Sequence, residues 1–434
     1  MKPEASWRPT TAHTRALIGG LLLAVVAVLG RRPDLLVIAT PLAGAAVWAA
    51  MTRPSTPPTV HQSIDHRTLY EGQATTWRVS FDDPEGRVDD VAVVLAPSAW
   101  TGLEPTDGQV VVDLRSDGDD ALKVAVGTTR WGCRRVGPAL IVASSGWAGF
   151  RWSSRNEAAA EQVVILPQLS QFDAAAPGAR TAGLIGSNRS LRYGGGAEFA
   201  TIRPFQPGDR LRRIHWARSL RTGTLHVAST WADQDRHIVL IIDALEEVGD
   251  SEGIGGRASS LDITVRAAGA IAEHYVGVGD RVGLLVFGAR GVQRLRPAAG
   301  SQHLRRLLGV LADIRPAHAL ADDGRLPRDL GEGALVLMLS PLTTPAALQR
   351  AAAVAGRGMP VLVIDCLPTD ITQQDPTDPY AGIAWRIALL QRERDIRRAA
   401  EAGIAVVPWR GPGSLDVVLR DMHRRSLAGA GRRR

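Results

Sequence analysis

Two uncharged apolar runs open the chain, residues 16–29 and 35–51, with a Gly-Arg-Arg-Pro-Asp turn between them. At 1.5 Å per residue each run gives roughly 21–26 Å of helix, and adding residues 10–14 brings the first close to the ~30 Å hydrocarbon core. A cleaved signal peptide needs a small-x-small site and a polar mature start after Leu29; a second apolar run follows instead. The pattern predicts an N-terminal segment over 1–15 and a transmembrane helical hairpin over 16–52. Lys2, Arg8, Arg15 and Arg53 flank its open end, against Arg31 and Arg32 in its loop. That bias favours a multi-pass plasma-membrane protein with its soluble domains in the cytoplasm.

Residues 53–68 are polar and Pro-rich, which predicts a semi-rigid linker lifting the chain off the membrane. Over 69–167 the pattern changes to short alternating runs separated by turn signals: "TTWRVSF", "DDVAVVLA", "GQVVVDL", "ALKVAV", "GPALIVAS", "EQVVIL". Spacing of this kind predicts an all-β sandwich. A connecting segment covers 168–236, its first part rich in Ala, Gly and Ser. From 237 to 427 the period alternates. "HIVLIIDAL" reads as a strand buried on both faces. Leu261, Val265, Ala268, Ala272 and Tyr275 mark an amphipathic helix over 259–275, with Ser260 as its cap. "DRVGLLVF" is a strand with "VQRLRP" as a short antiparallel companion. Leu304, Leu307, Leu308 and Leu311 mark a helix, "ALVLMLS" and "MPVLVIDC" two buried strands, and "GIAVVPW" follows a long helix over 381–402. A last helix is expected at 415–424 and a basic tail at 428–434. Strand and helix in alternation predict a doubly wound α/β layer with a mainly parallel sheet.

Composition alters this picture little. The 434 residues carry a formal net charge of +7, nearly all of it arginine, since Lys2 and Lys123 are the only lysines. That skew, with abundant Ala, Gly and Val, fits a GC-rich bacterial coding bias as well as an anionic partner. Cys133 and Cys366 lie far apart without metal-ligand spacing, and read as buried free thiols. His61 and His66, near a strand edge, read as solvated.

The densest chemistry lies at "RPFQPGDRLRRIHWARSLRTGTLHV", residues 203–227. Leu211, Ile214 and Trp216 interleave with Arg210, Arg212 and Arg213, which predicts an amphipathic turn with a buried apolar side and Asp209 as its N-cap. Arg203 and Arg218 can pair with Glu198, Asp233 or Asp235. The expected role is an arginine–carboxylate knot that docks the two soluble domains. A partner-binding surface and a nucleic-acid surface are the alternatives. Catalysis is not expected: His215 has no Ser or Cys in a nucleophile setting, and Ser219 lacks a strand–turn–helix elbow. No P-loop, zinc motif or dinucleotide fingerprint occurs; "GRASSLD" lacks the lysine of a phosphate loop.

These residues carry a resemblance. Glu198, Phe199, Arg203, Phe205, Gly208, Asp209, Arg213, Ile214, His215, Trp216, Ser219, Arg221, Gly223 and Leu225 match the signature of the bacterial "domain of unknown function 58" family. "RRVGP" at 134–138 and "GDRVGLLVFG" at 279–288 match further. "SSGWAGF" at 144–150 departs from the family's usual "DPFG" turn, and "SLR" at 219–221 from "SAR". The resemblance implies a membrane-anchored chain with a von Willebrand factor A-like α/β domain after the β-sandwich. Such domains hold a divalent metal on Asp-x-Ser-x-Ser with a distant Thr and Asp. Asp243 matches the first position, but Leu245 and Glu247 stand where serines should, and Pro341 where an aspartate is usual. The expectation is a degenerate site with no metal and no other cofactor. The resemblance further implies a protein partner, a MoxR-type AAA+ ATPase, and a non-enzymatic scaffold or adaptor. The alternatives are a metal-dependent hydrolase or nuclease using Asp243, and a membrane-associated nucleic-acid binder using residues 203–221.

Overall fold

The computed structural model describes residues 6–114, 121–155, 160–169, 193–207, 209–231, 237–288, 293–316, 330, 334–369, 371 and 380–411, with backbone only at 121, 193–200, 230, 231 and 293. The helix expected at 415–424, the tail, and most of the Ala/Gly/Ser-rich stretch lie outside the described residues. The chain forms two compact units: residues 1–168 with Gly253–Gly255, and residues 169–252 with 256–434.

The first unit begins with β1 (Arg8–Pro9), α1 (Thr11–Leu29) and α2 (Asp34–Thr52). Both helices are long and apolar enough to cross a membrane. Thr10 caps α1 by accepting the His13 N–H, and the Arg32–Asp34 pair, 2.7 Å apart, closes the hairpin loop. The helices approach closely at Gly20, where an added Cβ would lie 2.9 Å from the Ala43 nitrogen. Leu22, Val25 and Val37 point outward and are exposed. Small residues between helices and large apolar ones outside are the arrangement that lipid, unlike water, favours.

Eleven further strands build the β part: β2 (Thr59–Ile64), β3 (Thr68–Tyr70), β4 (Ala74–Asp82), β5 (Asp90–Val94), β6 (Thr101–Glu104), β7 (Gln109–Asp113), β8 (Ala121–Thr128), β9 (Gly132–Val136), β10 (Leu140–Ser145), β11 (Phe150–Arg155) and β12 (Glu161–Leu166). They form sheets of order β1-β11-β10-β5-β7, β2-β4-β8-β6 and β3-β12-β9. Pairing is antiparallel except between β3 and β12. Alternation places Trp77 and Val79 of β4 opposite Val124 and Leu122 of β8, and all four are buried. With Val91, Val93, Ile141, Trp152 and Ile165 they make one core.

Part of the segment expected to be a semi-rigid linker is built into the β part. Its residues 59–64 are β2, and its start is tied down. The Glu85 carboxylate accepts the N–H groups of Ser55 and Thr56, both at 2.9 Å, and the Thr56 hydroxyl at 2.8 Å. These bonds, the Ser55 amide foremost, hold the Glu85 carboxyl below its ordinary pKa. The Trp7 indole donates to the Thr56 carbonyl at 3.0 Å. Proline stiffened the segment, but its polar groups found partners in the β part rather than in water.

The second unit opens with a two-stranded ribbon, β13 (Tyr193–Pro204) and β14 (His226–Trp231), joined through a 3-10 turn (Leu211–Arg213) and α3 (Trp216–Thr222). Then follow β15 (His237–Asp243), α4 (Ser260–Val278), β16 (Arg281–Phe287), β17 (Gln293–Ala298), α5 (Ser301–Ala312), β18 (Leu335–Ser340), α6 (Ala346–Ala355), β19 (Val361–Asp365), α7 (Ala381–Glu401) and β20 (Ala405–Pro408). The six strands run in the order β17-β16-β15-β18-β19-β20. Only β17, beside β16, is antiparallel. Val239 and Ile241 pack with Ala347, Ala351 and Val354 of α6. Ile238, Leu240 and Ile242, fully buried, serve the opposite face, where α4 lies against β15, β16 and β18. The cap of α4 is Ser259, not Ser260. Ser259 and Asp262 form a capping box, while the Ser260 hydroxyl receives the Val248 N–H at 2.9 Å. The edge strands both carry a proline, Pro297 on β17 and Pro408 on β20.

Candidate functional site

Two places in the second unit concentrate the residues singled out above. The first is the arginine-rich segment between β13 and β14. Arg203, on the last turn of the ribbon before Pro204, makes a bidentate pair with Asp209: its Nη1 donates to Oδ2 at 2.8 Å and its Nη2 to Oδ1 at 2.6 Å. Oδ2 also accepts the Gln206 N–H at 2.9 Å. The guanidinium, then the amide, pull the Asp209 carboxyl below its ordinary pKa. Asp209 therefore closes its own turn and does not cap the helical turn that follows. The 3-10 turn has Arg210 as its N-cap, without a side-chain bond. Among the described residues Asp209 pairs with Arg203; of the carboxylates expected as partners, Asp233, Asp235 and the side chain of Glu198 lie outside the described residues, as does Gly208.

His215 caps α3, its Nδ1 accepting the Arg218 N–H at 3.2 Å, so the proton of the neutral ring sits on Nε2. Its backbone N–H donates to the His226 carbonyl at 2.8 Å. Ser219, buried, donates to the His215 carbonyl at 3.0 Å and accepts the His226 N–H at 2.9 Å, which sews α3 to β14. Gly223 ends α3 in the left-handed region, φ 70°. Arg203, Asp209, His215, Ser219 and Gly223 thus shape the segment.

Trp216 was expected to be buried and is 62% exposed. Leu211 and Leu220 are exposed too, and so are Arg210, Arg212, Arg218 and Arg221; Arg213 is half-buried. The backbone explains it. Ile214 leaves the 3-10 turn in an extended conformation and bridges to Val227, so Leu211 and Trp216 belong to different elements and share no buried face.

The second place is where the sheet reverses direction. The chain runs from β15 to β16 on one side and resumes with β18 on the other, so the C-terminal ends of β15 and β18 meet at the crevice where open α/β sheets bind ligands. Asp243 ends β15 and Ser340 ends β18. The Ser340 hydroxyl donates to Asp243 Oδ2 at 2.6 Å and accepts the Leu342 N–H at 2.9 Å; the Leu245 N–H donates to Asp243 Oδ1 at 3.1 Å. Glu247, which stands where a serine would ligate, accepts from the Ser259 hydroxyl at 2.5 Å. Arg350, buried, lies over the Phe287 ring at 4.1 Å. Both Asp243 oxygens are thereby engaged by protein donors. Among the described residues no group of three or more His, Cys, Asp and Glu converges on a point that could hold a metal. Ser340, which the sequence reading missed, is the residue that answers Asp243; its only signal was a hydroxyl closing an otherwise apolar strand.

Burial raises the Asp243 pKa, opposed by the Ser340 hydrogen bond and the charge of Arg350. A raised folded-state pKa means that the folded chain holds this proton more tightly. That contribution to stability is complete below the unfolded value of about 3.9 and is lost as pH rises through the raised folded value. Asp243→Asn cannot ionise. Relative to the parent it should gain stability as pH rises above about 4, the unfolded carboxyl value, measured by urea unfolding at each pH. Parallel profiles would show that Asp243 imposes no such cost.

Residues 201–381 match the family described as Protein of unknown function DUF58, a range that takes in residues 203–227 and both Asp243 and Ser340 of the crevice. Uncharacterised proteins of Mycobacterium bovis and Mycobacterium tuberculosis are 31% identical to this chain over 136 residues, 31% of this chain and 42% of each relative. The chain thus spans under half the length of these curated relatives. Among solved structures, a lipoprotein from Bacteroides thetaiotaomicron matches at 10% identity and a TM-score of 0.16, over 24% of this chain and 84% of its own. At that score the likeness informs neither fold nor function.

Proposed function

We propose that this chain is a membrane-anchored, non-enzymatic scaffold. Its hairpin crosses the plasma membrane, its soluble units lie in the cytoplasm, and its α/β layer is von Willebrand factor A-like. The observation that carries the reading is the surface of the arginine-rich segment. Leu211, Trp216 and Leu220 stand exposed among four exposed arginines, and no Asp or Glu occurs from residue 210 to 232. A large apolar side chain held out among cations, on a backbone fixed by Asp209, His215 and Ser219, is the composition of an interface anchor. The engagement of Asp243 by Ser340 and Leu245 favours binding over metal-assisted hydrolysis. The partner we assign is an AAA+ ATPase of the MoxR type, met by this surface and by the loops after β15, β16 and β18.

Trp216→Ala tests this. As an exposed position it should change stability by no more than about 0.5 kcal/mol. It should abolish co-purification of the ATPase from native membranes, with or without chelator. Undiminished co-purification would overturn the reading. The same surface favours one second reading, since an exposed indole among arginines is also a stacking platform for single-stranded nucleic acid. Oligonucleotide binding that falls steeply with salt, and is lost in Trp216→Ala, would establish it instead.

A further inference from the structure

The turn between β10 and β11 is held against the open end of the helical hairpin. The Thr10 N–H and hydroxyl both donate into it, to the carbonyls of Gly149 and Ala148, each at 2.9 Å. Gly146 and Gly149 press on Ala49 of α2: an added Cβ would fall 2.9 Å from Ala49 Cα at the first and 2.7 Å from Ala49 Cβ at the second. The Phe150 ring lies 4.8 Å from the His13 ring and under the Arg53 guanidinium at 5.4 Å. From the other side, Asp89 accepts the Trp147 N–H at 2.8 Å. So constrained, the turn runs through three successive positive φ values, 60° at Gly146, 52° at Trp147 and 59° at Ala148. Two of these are residues with side chains, in a region that side chains rarely enter unless the surroundings enforce it.

What the strain produces is an outward-facing tryptophan. Trp147 is 69% exposed, and its ring lies 6.5 Å from that of Trp48, itself 54% exposed on the last turn of α2. Trp48 also lines an apolar groove with Leu36, Val47 and Met51, so the indole pair continues the hairpin's apolar surface. Arg8, Arg53 and Arg151 are exposed around the same end, Arg8 and Arg151 facing each other across β1 and β11. Paired indoles at the end of an apolar span, ringed by arginine, have the chemistry of a headgroup layer: an apolar ring with one N–H, beside cations for lipid phosphate.

We propose that the β10–β11 turn is a second membrane contact. Trp147 lies beside Trp48 in the headgroup layer of the bilayer that α1 and α2 cross, with Arg8, Arg53 and Arg151 against lipid phosphates. The β part is thereby held at the membrane surface in one orientation. This rests on the reading of α1 and α2 as membrane spans.

The test uses the full chain in nanodiscs of phosphatidylcholine and phosphatidylglycerol, spin-labelled at single cysteines. Cys133 is replaced by serine; Cys366, buried with its thiol pKa pushed up to about 12, stays unlabelled. Three sites are compared: Ala148→Cys, which keeps Trp147; Leu22→Cys, on the hairpin; and Val111→Cys, on β7 at the opposite edge of the same sheet as β1. Relative accessibility to oxygen and to a water-soluble nickel chelate should place position 22 in hydrocarbon and position 111 in water. Position 148 should fall at the interface, about 15–20 Å from the bilayer centre. Adding Trp147→Ser should shift the label at 148 towards the aqueous value, and vesicles without phosphatidylglycerol should shift it in the same direction. A label at 148 as aqueous as that at 111, with 22 in hydrocarbon, would overturn the second contact and leave the spans standing. An aqueous label at 22 would overturn both.

Discussion

Trp77→Ala should cost the β part about 3–5 kcal/mol, the range for emptying a fully buried large aromatic site. Trp77 has no exposed surface and sits at the centre of a core shared by three sheets, opposite Val124. No neighbouring element is free to collapse into the space, because β4 is paired on both sides, with β2 and β8. Trp77→Phe should cost much less than alanine. The indole Nε1 is buried without a hydrogen-bond partner, so phenylalanine loses some area but also removes an unanswered polar group. Urea unfolding followed by near-ultraviolet circular dichroism measures both. Equal losses for the two variants would mean that the ring's volume does not decide the site.

Gly288→Ala should be the most damaging small change near Asp243. Gly288 follows β16 at φ 75°, and a Cβ there would lie 2.5 Å from the Leu245 nitrogen and 2.6 Å from its Cα. A left-handed alanine costs roughly 1–2 kcal/mol and overpacking against backbone roughly 1–3 kcal/mol more. Leu245 cannot move without withdrawing the N–H it gives to Asp243. Gly223→Ala is the control. It has φ 70° and ψ 4°, in the left-handed region, and nothing within 4 Å of the added atom, so it carries left-handed strain alone. Thermal unfolding should separate the two variants, with Gly288→Ala lower. Coincident curves would show that the approach of residue 288 to Leu245 has slack.

Elements whose cause is local were legible. The unbroken run at β15 could only be a strand covered on both faces, and the Leu/Val/Ala spacing of α4 needed no tertiary information. The two helices at the start were legible for the same reason. Short strands such as β3 and β6 escaped, because three or four residues cannot display a period. The pattern was misleading at Leu211 and Trp216. It treated one stretch as one amphipathic turn with a single buried side, while the chain passes through a 3-10 turn, an extended residue and a new helix within six positions. Asp209 resembles a cap in sequence, and only the folded ribbon reveals that Arg203 claims its carboxylate. Asp243 and Ser340 stand 97 positions apart, and what joins them is adjacency of β15 and β18, which no local signal encodes.

The prolines on β17 and β20 bear on how any partner can attach. Each edge strand of the six-stranded sheet carries, near its C-terminal end, a ring nitrogen with no hydrogen to give, and β20 is only four residues long. Strand addition by an extended peptide draws on main-chain N–H donors, and each proline removes one near the end of its strand. Both edges are thus blunted against pairing with further strands, which shifts recognition at this layer towards side chains and loops, whose identity evolution can change one residue at a time.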